Sequence, residues 1–159
     1  MSASSAYLQF FDDAWSHAYE SLAGGIEGVT EAEASWQAPA YASVAREEGW
    51  PAPGTIAWHV AHLTHCKRYY ADVIRRRAEA ESPEPRPWAT PATFDALVGL
   101  LKEAHAEQRT AIEALEDDDL EVVIEGDRRL ADFLSATIRH DIWHAAQIAM
   151  ARRLAGSAG

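Results

Sequence analysis

TPATFDALVGLLKEAHAEQRTAIEAL (residues 90–115) sets Phe94, Leu97, Leu101, Ala104, Ile112 and Leu115 along one face of a helix. Most steps are three or four residues, the period of an amphipathic helix with one buried stripe. Thr90 reads as its N-cap and Pro91 as its first helical residue, where a missing N–H costs nothing. The acidic run Glu116-Asp117-Asp118-Asp119 is expected to end it, because negative charge at a helix C-terminus opposes the macrodipole.

Upstream, Ser82-Pro-Glu-Pro-Arg-Pro is a connector, since three prolines in so short a run forbid a helix interior. Before it, Thr55 is a natural N-cap for a helix from Ile56 to about Glu79. Residues 34–54 read as loop, broken by Pro39, Gly49, Pro51, Pro53 and Gly54. A first helix is expected from about Ala6 to Val29, carrying Leu8, Phe11, Trp15, Leu22, Ile26 and Val29 and weakened at Gly24-Gly25. Thr30 and Glu33 have the spacing of a capping box for a short extra turn. Downstream, Leu120 to Glu125 suits a short extended piece, and Gly126-Asp127 opens a last helix to about Arg153. Four amphipathic helices with no strand series predict an all-α four-helix bundle in one domain, residues 1–159. The two longer connections argue against a simple up-down-up-down order.

Composition removes several functions. The formal net charge is -11, a field that repels phosphate backbones, so nucleic acid is not an expected partner. The densest basic cluster, Arg75-Arg76-Arg77, is short and is followed by Glu79 and Glu81. No apolar run approaches the ~20 residues that span a bilayer, so no membrane partner is expected. Met1 to Leu8 lack a basic and an apolar export region, and a cytoplasmic location is expected. Cys66 is the single cysteine, which rules out an internal disulfide and multi-cysteine zinc patterns. Any metal must rest on histidine and carboxylate.

Five of the seven histidines fall in two segments, Trp58-His59-Val60-Ala61-His62-Leu63-Thr64-His65-Cys66 and Arg139-His140-Asp141-Ile142-Trp143-His144. On a helix, residues four apart such as His140 and His144 differ by ~40° in azimuth and ~6 Å along the axis. Both imidazoles can therefore reach one zinc, nickel, iron or manganese ion. Two hydrogen-bonded or exposed histidines would explain that spacing equally well. A third histidine from a facing helix changes the balance, and His62 stands in an apolar stretch with Ile56, Val60, Ala61 and Leu63. His59 and His65, three residues to either side of it, fall on adjacent faces and suit the surface.

The segment Thr55-Ile-Ala-Trp-His-Val-Ala-His62-Leu, followed by His140-x3-His144-x2-Gln147-Ile, resembles the DinB/YfiT-like family of metal-dependent enzymes. The resemblance covers nearly the whole chain. It implies a four-helix bundle with one histidine from the second helix and two from the fourth around a divalent ion. Carried over by position, these are His62, His140 and His144, with His59 as the alternative to His62. Characterised relatives include transferases and isomerases that use low-molecular-weight thiols such as mycothiol or bacillithiol. The resemblance therefore implies thiol transfer to a small-molecule substrate, and with it a homodimer.

Three neutral histidines leave a divalent ion its full charge and an open position for water or a thiol. Metal-dependent hydrolysis is the second enzymatic reading, and a non-catalytic metal- or ligand-binding bundle the third. With no metal at all, the histidines would merely pack. Cys66 reads as a small buried hydrophobe rather than a fourth ligand. Asp141 and Gln147 could orient ligands, or Asp141 could be solvated. His105 and Gln108 suit satisfied core positions. Trp58 and Trp143 are expected in the core beside the ligands, and one of Tyr69 and Tyr70 is expected to line the site. Trp36, Trp50 and Trp88 are expected as exposed loop aromatics.

Overall fold

A computed structural model of the chain describes residues 2–17, 20–77, 86, 90–124 and 127–157. Among these the helices are α1 (Ala3–Ser16), α2 (Leu22–Ile26), α3 (Glu31–Ser35), α4 (Ile56–Arg76), α5 (Phe94–Glu113) and α6 (Leu130–Ser157). Two 3₁₀ turns, Pro39–Tyr41 and Asp117–Glu121, complete the set, and no strand ladder is present among the described residues. The protein is all-α.

The four long helices close on one another. α4 packs against α5 and α6, and α1 packs against the same two. Around the bundle the order is thus α1, α5, α4, α6, with α1 opposite α4. One core layer joins Leu22, Ile56, Val60, Leu63, Leu101 and Ile148. A second joins Phe11, Ala71, Ile74, Ile112, Leu130 and Leu134. The short α2 and α3 pack on α6, and α3 also on α4.

Helix starts show which local signals prevailed. The Thr55 hydroxyl accepts from the Trp58 amide at 3.0 Å and begins α4. Thr30 and Glu33 form the expected reciprocal capping box of α3. Four expectations need correction. The single helix from Ala6 to Val29 is broken, because Glu20 adopts a positive φ of 92° and Ser21 caps a new helix through the Gly24 amide. The helix expected at Thr90 begins at Phe94 with Thr93 as cap; the Thr90 hydroxyl donates to the Gly49 carbonyl instead.

The last helix begins at Leu130 rather than at Gly126-Asp127. Ahead of it Val123 bridges Arg129, and the Leu130 amide donates to the Val122 carbonyl at 2.9 Å. Of the expected extended piece, Leu120 and Glu121 belong to a 3₁₀ turn. The acidic run starts that turn as well as following α5: the Glu116 amide donates to Asp119, and three acidic residues sit at a helical N-terminus, where the dipole favours them. Gly126 itself, Glu79, Trp88 and residues 82–85 lie outside the described residues. Among the described residues no helix is long and apolar enough to cross a membrane.

Candidate metal centre

The α4–α6 seam holds a cluster of imidazoles. α4 buries Ile56, Val60, Leu63 and Ala71, and α6 buries Leu134, Thr137, Asp141, His144 and Ile148 at helical steps. These stripes turn His62 towards His140 and His144. The His62 Nε2 stands 3.2 Å from the His140 Nε2, and the His144 Nε2 stands 3.1 Å from that same atom. The Cys66 Sγ, one turn after His62, lies 3.5 Å from the His62 Nε2. His62, Cys66 and His140 present donor atoms within 4.8 Å of one another.

A hydrogen-bond account of these contacts fails at His140. A neutral imidazole nitrogen carries one proton or one in-plane lone pair, never both. The His140 Nε2 therefore cannot make good hydrogen bonds to two other Nε2 atoms at once. Its Nδ1 is also buried without a hydrogen-bond partner. Three lone pairs aimed at one cation remove the conflict. Imidazole nitrogens about 2.0–2.1 Å from a tetrahedral zinc are separated by about 3.3 Å, and a more crowded coordination shell shortens that edge. The observed 3.1 and 3.2 Å match the two edges that meet at His140.

The protonation states agree with ligand chemistry. Burial, with the neighbouring imidazoles, pushes His62 down to about 4 and His144 down to about 3. Burial and the nearby Lys67 lower His140 as well. These rings are neutral at pH 7, so a metal would not have to displace their protons. Burial holds the Cys66 thiol up at about 11, with a Tyr70 hydrogen bond pulling the other way.

His59 is not a surface residue. It is 4% exposed, and its Nδ1 stands 2.9 Å from the His144 Nδ1. It thus pairs with the nitrogen of His144 that faces away from His140 and holds that ring's orientation. Trp58 lies flat on His62, with ring centroids 5.1 Å apart and planes within 5°. Tyr70 meets His140 edge-on at 5.9 Å. His65 is half-buried against the edge of Trp50.

Other expectations change with the structure. Trp143 is 60% exposed rather than core. The buried stripe passes through Asp141, His144 and Ile148, and position 143 points about 100° away from 144. Trp36 and Trp50 are half-buried rather than exposed, and Trp50 packs on the core. Cys66 is half-buried, with a polar environment instead of a purely apolar one. Gln147 is also half-buried.

Asp141 is 1% exposed, so it is not solvated, and it pairs with the fully buried Lys67 of α4. Lys67 also donates to the Gln108 Oε1 at 3.4 Å and stands 4.7 Å over the Phe11 ring. His105 is sandwiched between Phe11 at 4.6 Å and Trp15 at 4.0 Å. Lys67 is absent from the residues expected at the site, although it lies seven residues from both Val60 and Ile74 in the buried stripe of α4. A lysine at such a position demands a buried acidic partner.

A helical bundle whose facing helices bring together a partly buried cluster of neutral imidazoles, with a thiol at its edge, is compatible with a metal-binding protein. The sequence profile of the DinB superfamily matches residues 12–148. The chain belongs to that superfamily. Searches of curated proteins and of solved structures gave no match.

Proposed function

We propose that this protein is a divalent-metal-dependent transferase that uses a low-molecular-weight thiol, with His62, His140 and His144 as ligands. The observation that carries the metal reading is the double contact at the His140 Nε2, 3.2 Å from His62 and 3.1 Å from His144. Membership of the superfamily and the His62–Cys66–His140 grouping are compatible with it. The thiol comes from the family resemblance. In this reading the protein acts in the cytoplasm as a homodimer on a small molecule.

The ion, when bound, supplies Lewis acidity, which lowers the pKa of a coordinated thiol or water. The chain's own residues do the rest. His62, His140 and His144 hold their lone pairs free at neutral pH. His59 keeps the His144 ring from turning. Trp58 covers one face of His62 and limits access of water from that side.

Elemental analysis of untagged protein tests the site. About one equivalent of a divalent transition metal is expected in wild type and none in His140→Ala/His144→Ala. Protein that stays metal-free after incubation with zinc, nickel and manganese would end the metal reading. Turnover of an electrophilic substrate should then require an added thiol. Equal turnover without one would replace the transferase with a hydrolase.

A further inference from the structure

We infer that the outer face of α6 binds a second copy of this chain, α6 lying antiparallel on α6, with Arg153 of each copy against Asp13 and Glu20 of the other. This rests on the homodimer reading above and deepens it by assigning the surface. The buried stripe of α6 runs through Leu134, Asp141, His144 and Ile148. A second stripe, Arg139, Trp143, Ala146, Met150 and Leu154, repeats at three- and four-residue steps on the solvent side. Trp143, Met150 and Leu154 are 60%, 55% and 44% exposed, and Ile142 flanks them at 51%. A surface helix of a monomer ordinarily carries one apolar stripe; a second one marks a second packing partner.

The patch continues off the helix. Between α1 and α6 lies a cleft of about 680 Å³, lined by Phe10, Ile138 and Ile142. Its rim carries two acids, Asp13 and Glu20, against one base, Arg139. α1 runs in the same direction as α6. The Tyr7 hydroxyl meets the Ser135 hydroxyl at 3.4 Å, and further along both, Arg152 donates to the Gly25 carbonyl at 3.5 Å. The acidic rim thus lies beside residues 139–142, about four turns before Arg153. Arg153 is exposed and forms no salt bridge among the described residues.

These charges select the occupant and its direction. A parallel pair of α6 helices would set Arg139 against Arg139 and Arg153 against Arg153, and would align two macrodipoles. An antiparallel pair about a two-fold axis between positions 146 and 147 is self-complementary. It faces Trp143 of one copy with Met150 of the other, a sulfur–aromatic contact made twice. Ala146, beside the axis, is small enough for close approach. Position 153 then faces position 140, with the α1 side of one copy opposite the α1 side of the other. Arg153 of the second copy reaches the cleft mouth, its stem over Ile142 and its guanidinium towards the two acids. Within one copy Asp13 has only a 3.9 Å contact with exposed His17 as an ion pair, so its carboxylate is open to that arginine. The net charge of -11 opposes an anionic lipid surface as the occupant.

Sedimentation velocity of the untagged full chain over a concentration series reads the interface. Wild type should sediment as a dimer. Met150→Glu should raise the dimer Kd by about a hundredfold or more, because each copy then buries an unpaired carboxylate. Arg153→Asp should raise it by about tenfold, since two exposed ion pairs become repulsions. Arg153→Asp/Asp13→Arg should restore the dimer, an outcome that misfolding cannot produce. Circular dichroism checks that the variants fold; if Met150→Glu does not, the charge swap carries the comparison. Loss of the dimer in Arg153→Asp without restoration by the swap would overturn the antiparallel pairing. A dimer unchanged in Met150→Glu and in Arg153→Asp would overturn this face and leave the homodimer standing. A wild type monomeric at every concentration would overturn both.

Discussion

Two polar clusters, one fully buried and one partly so, lie side by side on the same pair of helices, and they are built on opposite principles. Lys67 of α4 and Asp141 of α6 are complementary, with Gln108 of α5 as a further acceptor for the ammonium. One turn away, His62, His140 and His144 are three groups of one kind facing each other across the same seam. Burial pushes the Asp141 carboxyl above the usual carboxylate range while Lys67 draws it back down. The same burial pushes the histidines down, and no anion among the interactions described compensates them. A self-complementary cluster is a structural clamp. A cluster of like donors is compatible with a shared cation, and the clamp beside it packs the same two helices.

The largest effect should come from breaking the clamp. Lys67→Met leaves the Asp141 carboxylate buried without its cation, and loss of one partner of such a pair typically costs about 3–5 kcal/mol. Urea denaturation of metal-free protein measures it. Lys67→Met/Asp141→Leu should recover most of that loss, because a well-packed apolar pair replaces a buried ion pair at little cost. If the double variant is as unstable as the single, complementarity is not what Lys67 contributes there.

Next in size is the metal-linked stability of the histidine cluster. A metal at a hundredfold excess over its Kd stabilises the folded state by about 2.7 kcal/mol. Wild type should gain that amount on zinc addition and lose it to a chelator. His140→Ala/His144→Ala should gain nothing from zinc, and its metal-free stability should fall below wild type, because His144 is buried and His59 loses the Nδ1 it pairs with. Equal stabilisation of wild type and the double variant by zinc would place the ion away from these histidines.

These two clusters were unequally legible in the sequence. The spacing of His140 and His144 and the apolar setting of His62 pointed to one seam, and the structure brings all three together. Lys67 was hidden by its residue type, since lysine is usually solvated. Its seven-residue distance from Val60 and Ile74 carried the signal. His59 was read as a surface residue because one helix alone does not reveal its phase against α6; that phase turns its Nδ1 towards His144. The four long helices followed from periodicity, but the break at Glu20 and the starts at Phe94 and Leu130 did not. Thr90 was diverted by the Gly49 carbonyl, a partner 41 residues away, and no local rule contains that contact.

A smaller effect separates the two clusters by pH. His105 touches the clamp's side of the core, and burial, aided by Lys67 and Arg109, pushes it down to about 3. An unfolded histidine titrates near 6.5. Above that pH neither state holds the proton, and stability is unaffected. As pH falls from about 6.5 towards 3 the unfolded chain binds a proton that the folded chain refuses, so stability falls by about 1.4 kcal/mol per pH unit per histidine. His59, His62 and His144 act with the same sign. His105→Phe, which keeps a ring between Phe11 and Trp15, should reduce the slope of metal-free stability between pH 6 and 4 by one proton. An unchanged slope would show that His105 is protonated in the folded state.

The smallest effect concerns the residue that separates the seam from the outer face of α6. Trp143 meets His144 edge-on at 5.1 Å, yet it is 60% exposed. Trp58, by contrast, stacks flat on His62 and is half-buried. In a single copy of the chain, Trp143→Ala removes little buried area and should change folding stability by no more than about 0.5 kcal/mol, as surface substitutions usually do. Ile142 and Met150 are exposed on the same helix, at 51% and 55%. If these side chains are covered by a second copy in solution, the loss from Trp143→Ala will exceed that limit and will grow with protein concentration, because the association term then enters the stability. Denaturation of wild type and Trp143→Ala at two protein concentrations separates the cases. A small, concentration-independent change leaves α6 with a free outer face and confines the role of the helix to the seam.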